Sequence, residues 1–122
     1  MNVIAADKFI DKASIKVSLF SGAAVTEEIQ TQDMDSLLEQ ADFISLHVPS
    51  QKDYVIDKAA FSKMKKGAAI INAARGGVLD EVALVDALDS GQLSFAGLDT
   101  FVTRFTEFNH SAVPSVFSEN LI

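Results

Sequence analysis

Apolar residues fall in short runs along this chain, separated by glycine, proline and acidic punctuation, and the runs alternate between two periodicities. Phe43-Ile44-Ser45-Leu46, Ala68 to Ile71 and Ser94 to Leu98 are brief and nearly free of charge. Runs of that length and character suit strands of a buried parallel sheet, and Ala68 to Ile71 is predicted to be covered on both faces. Between them lie helical spacings: Leu37, Leu38 and Ala41; Ala60, Phe61 and Met64; Leu84, Val85 and Leu88. Each of these three follows an acid able to cap a helix: Asp33 or Asp35, then Asp57, then Asp80 or Glu81. Lys65-Lys66-Gly67 and Ser90-Gly91 supply stop signals. Strands alternating with short helices predict an α/β chain. At the amino end, Asn2 to Ala6 is β-prone and closes at Asp7. Ser14 to Phe20 is mixed enough to be helix or strand, Gly22 breaks it, and Ala23 to Val25 reads as a short edge strand.

Bulk properties narrow the function classes. A hydrophobic content of 48% with 22% charged residues is ordinary for a globular domain, and 122 residues allow one domain at most. A net charge of −7 disfavours nucleic acid and anionic membrane as partners, because no basic patch can be assembled. The chain has no cysteine, which removes disulfides and thiolate metal sites and fits a reducing cytoplasm. No run is long enough to span a membrane, the first residues lack a basic leader, and no spacing suggests a metal site.

The chemistry concentrates in Gly67 to Glu81, G-A-A-I-I-N-A-A-R-G-G-V-L-D-E. Here a strand runs into small residues, one cation and two glycines before a helix opens. Ala73 and Ala74 leave room for a ligand against the backbone, and Gly76 and Gly77 allow a turn with positive φ. Arg75 stands at the carboxyl end of the strand, where open α/β sheets hold ligands. An ordinary strand-to-helix turn with a solvated arginine is the plainer alternative.

I-I-N-A-A-R-G-G-V-L-D-E followed by A-L resembles the signature of the D-isomer-specific 2-hydroxyacid dehydrogenases, closest to the 3-phosphoglycerate branch. The resemblance runs over Met1 to Val102, more weakly in the middle. It implies a partial Rossmann-type doubly wound parallel sheet lacking the first strand and its Gly-rich loop, because no G-x-G-x-x-G precedes Asp7. It implies NAD as cofactor, with Asp7 on the ribose hydroxyls, an acid there favouring NAD over NADP. His47, Val48 and Pro49 of L-H-V-P line the cofactor cleft, His47 structurally. Ala73, Ala74 and Arg75 lie along the cofactor, and Asp99 meets its nicotinamide end. Arg75 is also the catalytic candidate, holding the carboxylate of a 2-hydroxy acid. A short helix is implied near Ser14 to Phe20.

Beyond Val102 the pattern departs. Arg104 and Phe105 stand where a Glu-Pro pair is expected, Glu107 is displaced, and His110 has neither the neighbours nor the spacing of an acid/base histidine. Residues 1–102 thus read as a partial NAD-binding domain and 103–122 as a divergent tail, with Met1 coinciding with an internal methionine of the family. The Rossmann strand order 3-2-1-4-5-6 would leave a gap between Asn2–Ala6 and Phe43–Leu46. That gap closes by direct pairing, is filled by another segment such as Val113–Ile122, or leaves open edges that invite a homodimer. The expectation is a fragment of an oxidoreductase domain, inactive as an isolated chain. The alternative is a non-enzymatic self-association module.

Overall fold

The computed structural model describes residues 2–100 and 102. The tail from 103 onward, with His110, Glu107 and the Val113–Ile122 segment, lies outside the described residues. Five strands and three helices follow in order. Strands β1 (Lys12–Ser18) and β2 (Ala24–Gln30) form an antiparallel hairpin. Helix α1 (Met34–Gln40) leads to the unit β3 (Phe43–Leu46), α2 (Lys58–Lys63), β4 (Ala68–Asn72), α3 (Glu81–Asp89) and β5 (Leu93–Leu98). The last three strands make a parallel sheet in the order β3-β4-β5. This βαβαβ unit is one mononucleotide-binding half of a Rossmann-type sheet.

Each helix starts where an aspartate satisfies free N–H groups. Asp33 accepts from Ser36 N, Asp57 from Ala60 N, and Asp80 from both Val82 N and Ala83 N. Helix α3 stops at Ser90 and Gly91, whose φ of 70° and N–H bond to the Leu88 carbonyl close the last turn. Gly67, at φ 80°, turns the chain into β4.

The core lies between the sheet and its helices. Ile44, Ile70 and Ala96 stand in register on the covered face, as do Leu46, Asn72 and Leu98. Leu38, Phe61, Leu84, Val78 and Leu79 pack over them. No described element covers the other face, where Ala69 is buried between exposed aromatic neighbours. Phe43, Ala69 and Phe95 form one row there, and Ser45, Ile71 and Gly97 the next. Ile70 is 0% exposed, whereas its neighbour Ile71 is 44% exposed, Phe95 44% and Phe43 82%. The expectation that β4 is covered on both faces is therefore corrected: α2 and α3 cover one face, and no described element covers the other.

Three other expectations change. Asn2–Ala6 does not form a strand; only Ala5 makes a bridge, to Thr31, with Gln32 N–H donating to the Ala5 carbonyl at 2.9 Å. A strand exists only where a neighbour supplies a ladder, and two residues supply one rung. The helix that the resemblance implies over Ser14–Phe20 is instead β1. Its alternation of Ala13, Ile15 and Val17 meets Ile29, Glu27 and Val25 across the hairpin. The edge strand at Ala23–Val25 becomes the longer β2, and it pairs with β1 rather than with the parallel sheet. Of the three ways to treat the gap, the described residues leave the outer edge of β3 without a ladder partner.

Candidate cofactor and substrate site

β4 and β5 end side by side, and their carboxyl ends carry most of the candidate chemistry. The turn after β4 is held from both sides. Val55 N–H and Ile56 N–H donate to the Val78 carbonyl at 2.8 and 3.3 Å, and Asp80 N–H donates to the Ile56 carbonyl at 2.9 Å. Val78 and Leu79 are buried by this stitching. The left-handed residue of the Gly-Gly pair is Gly77, at φ 77°; Gly76 is not among the left-handed glycines of the described residues. The expectation of positive φ at both positions is corrected to one, because a single αL residue suffices to turn the chain toward α3.

Arg75 is exposed, and its Nη1 donates to the Ala74 carbonyl at 3.0 Å. No carboxylate pairs with it among the described residues. Ala73 is exposed and Ala74 half-buried beside it. Asp99 follows β5 and is exposed, with its N–H donating to the Asn72 carbonyl at 3.0 Å. Its neighbour Thr100 has a buried hydroxyl oxygen with no hydrogen-bond partner.

Asp7 lies in a turn, where Oδ1 accepts from Phe9 N–H at 2.7 Å and Ile10 N–H at 3.1 Å. Among the described residues these are the bonds its carboxylate makes. His47 is exposed, with Nε2 2.8 Å from Ser45 Oγ. Val48 packs on the core and Pro49 is exposed. Lys8 Nζ donates to Gln51 Oε1 at 3.1 Å, tying the turn after Asp7 to the loop after Pro49. The fold therefore brings Ala73, Ala74, Arg75 and Asp99 together at the ends of β4 and β5, while His47, Val48 and Pro49 form a second group after β3, to whose loop the turn of Asp7 connects through the Lys8–Gln51 bond. No hydrogen bond among the described residues joins the groups.

Two residues were not singled out from sequence. Asn72, 2% exposed, is the one buried polar residue among the described residues. Its signal is an amide-bearing residue closing an apolar run just before a turn, where Asn bonds the backbone ahead of it. Thr100 carried no signal beyond its place after Asp99. A shallow hollow of ≈ 150 Å³ at the opposite, amino ends of the strands is lined by Asp42, Lys65 and Lys66. Lys65 is already paired there with Asp42 at 2.8 Å, which makes it a poor rival.

The sequence pattern of the D-isomer specific 2-hydroxyacid dehydrogenase, NAD binding domain, matches residues 1–118. The chain belongs to this family. Its match extends past Val102, where the motif resemblance stops. The D-3-phosphoglycerate dehydrogenase of Mycobacterium leprae is 52% identical over 78 residues, which are 62% of this chain and 15% of that protein. The D-lactate dehydrogenase of Lactiplantibacillus plantarum is 46% identical over 85 residues, 68% of this chain and 26% of its own length. Among solved structures, D-lactate dehydrogenase from Aquifex aeolicus, complexed with NAD and lactic acid, superposes with a TM-score of 0.59 at 42% identity. That superposition covers 62% of this chain and 23% of the other. The chain thus spans a small part of the length of these dehydrogenases.

The residues present fit the nicotinamide end of the family's cofactor. Asp99 presents an exposed carboxylate, an acceptor for an amide N–H, and Thr100 a buried hydroxyl with no hydrogen-bond partner among the described residues.

Proposed function

We propose that this chain provides the nicotinamide half of the NAD site of a D-2-hydroxyacid dehydrogenase of the 3-phosphoglycerate type. The observation that carries the reading is the meeting of the Arg75 loop and Asp99 at the carboxyl end of β4 and β5, both bonded to Asn72. Open α/β sheets bind their ligands at that end. Asp99 would accept from the carboxamide N–H, Ala73 and Ala74 would let the ring lie against backbone, and Asp7 would accept from the ribose hydroxyls. A nicotinamide held by these residues would supply hydride-transfer chemistry. Arg75 would grip the carboxylate of a 2-hydroxy acid with two N–H groups and orient the carbon that reacts.

The 122 residues contain no G-x-G-x-x-G, and His47 is engaged with Ser45 rather than paired to an orienting acid. Lack of an acid/base costs about two to four orders of magnitude in rate. The isolated chain should therefore bind NADH more weakly than micromolar and turn over no 3-phosphoglycerate. Calorimetric titration with NADH, together with an absorbance assay of NADH formation, tests this. Micromolar affinity combined with phosphoglycerate turnover would defeat it. The absence of cysteine supports a cytoplasmic setting, and no helix among the described residues is long and apolar enough to cross a membrane.

A second reading has its own support. The bare sheet face with Phe43, Ile71 and Phe95, and the unpaired edge of β3, are features that self-association would cover. Light scattering on a size-exclusion column separates the two readings, since a clean monomer at high concentration removes the self-association module.

A further inference from the structure

Asn72 stands at the end of the central strand with its side-chain nitrogen, its side-chain oxygen and its main-chain carbonyl all bonded to the site around it. Its side-chain Nδ2 donates to the Arg75 carbonyl at 2.9 Å, and Oδ1 accepts from Ala74 N–H at 3.1 Å. Its main-chain carbonyl accepts from Asp99 N–H at 3.0 Å. The two arms of the amide therefore span the loop that carries Arg75, while the backbone fixes the start of the segment that carries Asp99. A buried amide with both ends matched is costly to disturb, because the part-buried groups it holds lose their partners. Leu46 and Leu98 flank it in register and are themselves buried, so little water can compensate.

A residue placed here for packing alone would be apolar like those neighbours. An asparagine does something they cannot: it accepts and donates at once, to groups two and three residues ahead. That pattern defines the course of Ala73–Arg75 independently of the rest of the turn, which the bonds to Val55 and Ile56 hold from the other side. From this geometry we infer that Asn72 is a positioning residue of the site, its side-chain amide fixing the Arg75 loop beside the Asp99 segment that its main-chain carbonyl holds. Its consequence for ligand binding rests on the nicotinamide-site reading above; the lock itself does not.

Hydrogen exchange on the isotope-labelled 122-residue chain separates a positioning role from a merely structural one. The Ala74 amide reports the side-chain arm, and the Asp99 amide reports the strand pairing. In Asn72→Leu, the Ala74 amide should exchange about tenfold faster or more while Asp99 stays protected. In Asn72→Asp, the carboxylate still accepts from Ala74 N–H but cannot donate to the Arg75 carbonyl. Ala74 should then stay protected, while the Gly76 amide resonance, which shares a peptide plane with that carbonyl, moves. Unchanged Ala74 exchange in Asn72→Leu, or Ala74 and Asp99 rising together, would overturn the inference.

NADH titration of the same samples adds the functional arm. Asn72→Leu should bind about tenfold more weakly than wild type with Asp99 protection intact; equal binding would overturn the coupling to the ligand. If wild type itself shows no NADH response, the nicotinamide-site reading fails, and the exchange data still decide the lock.

Discussion

Gly77→Ala is the substitution for which the structure gives a cost with a separable cause. Gly77 has φ 77°, and an added Cβ would lie 3.5 Å from Val102 Cγ2, an ordinary van der Waals contact. The penalty is therefore conformational rather than steric. Holding an L-residue in the left-handed region costs about 1–2 kcal/mol. Removing glycine's freedom from the unfolded chain returns about 0.4–1 kcal/mol. The net destabilisation is then roughly 0–1.6 kcal/mol, near 0.8 kcal/mol at the centre of the range, a downward shift of a few degrees in midpoint for a domain of this size. Urea unfolding followed by circular dichroism reads it directly. Gly77→Asn should cost less, because asparagine tolerates αL. The double substitution Gly77→Ala with Val102→Ala distinguishes the causes: relief of the cost by Val102→Ala would show that crowding, not backbone strain, was responsible. A Gly77→Ala chain more stable than wild type would refute the assignment of the turn.

Other outcomes follow from single features. Ile70→Ala, at a position 0% exposed in the centre of the sheet, should cost about 2–5 kcal/mol in urea unfolding, whereas Phe43→Ser on the bare face should cost little and reduce any self-association seen by light scattering. Asp80→Ala removes two N–H partners at the start of α3 and should lower stability by about 1 kcal/mol in the same unfolding assay. The Asp33 carboxyl is held below its ordinary value of 3.8 by its side-chain bond to Ser36, and then by the Ser36 backbone N–H. A depressed folded pKa contributes stability above the ordinary value that is lost as pH falls through the folded one. The amides of α1 should therefore lose protection in that acidic range, and in Asp33→Asn this pH dependence should be absent.

The second half of the fold was readable because its signals are local. Asp57 and Asp80 each precede an apolar helical spacing, Gly67 and Gly91 each mark a stop, and the three charge-poor runs became β3, β4 and β5. The amino-terminal region was not readable for a different reason. Ala5 belongs to a β-prone run, yet strand formation depends on a neighbour that pairs along its length, and Thr31 gives one bridge. Ala13, Ile15 and Val17 do alternate with a period of two, but the partner that makes the alternation a strand lies beyond Gly22. The resemblance pointed to a helix instead.

At the site, Arg75 and Asp99 stood out as charged residues at strand ends, and the fold brings their loops together. Asn72 has a weaker signal, an amide closing an apolar run before a turn, and which backbone atoms it bonds is legible only in the fold. Coverage of the sheet was misjudged for a related reason. A charge-poor strand signals that it can be buried on both faces, not that a second layer is present, and Phe43 remains exposed.

The most direct test of the nicotinamide-site reading is a map of backbone amide resonances as NADH is added to the 122-residue chain. Perturbations centred on Asn72 to Arg75 and on Asp99 and Thr100, weak in affinity but localised to the carboxyl ends of β4 and β5, are the expected result. Perturbations confined to the Lys65–Lys66 end of the sheet, or none at all at saturating NADH, would contradict it.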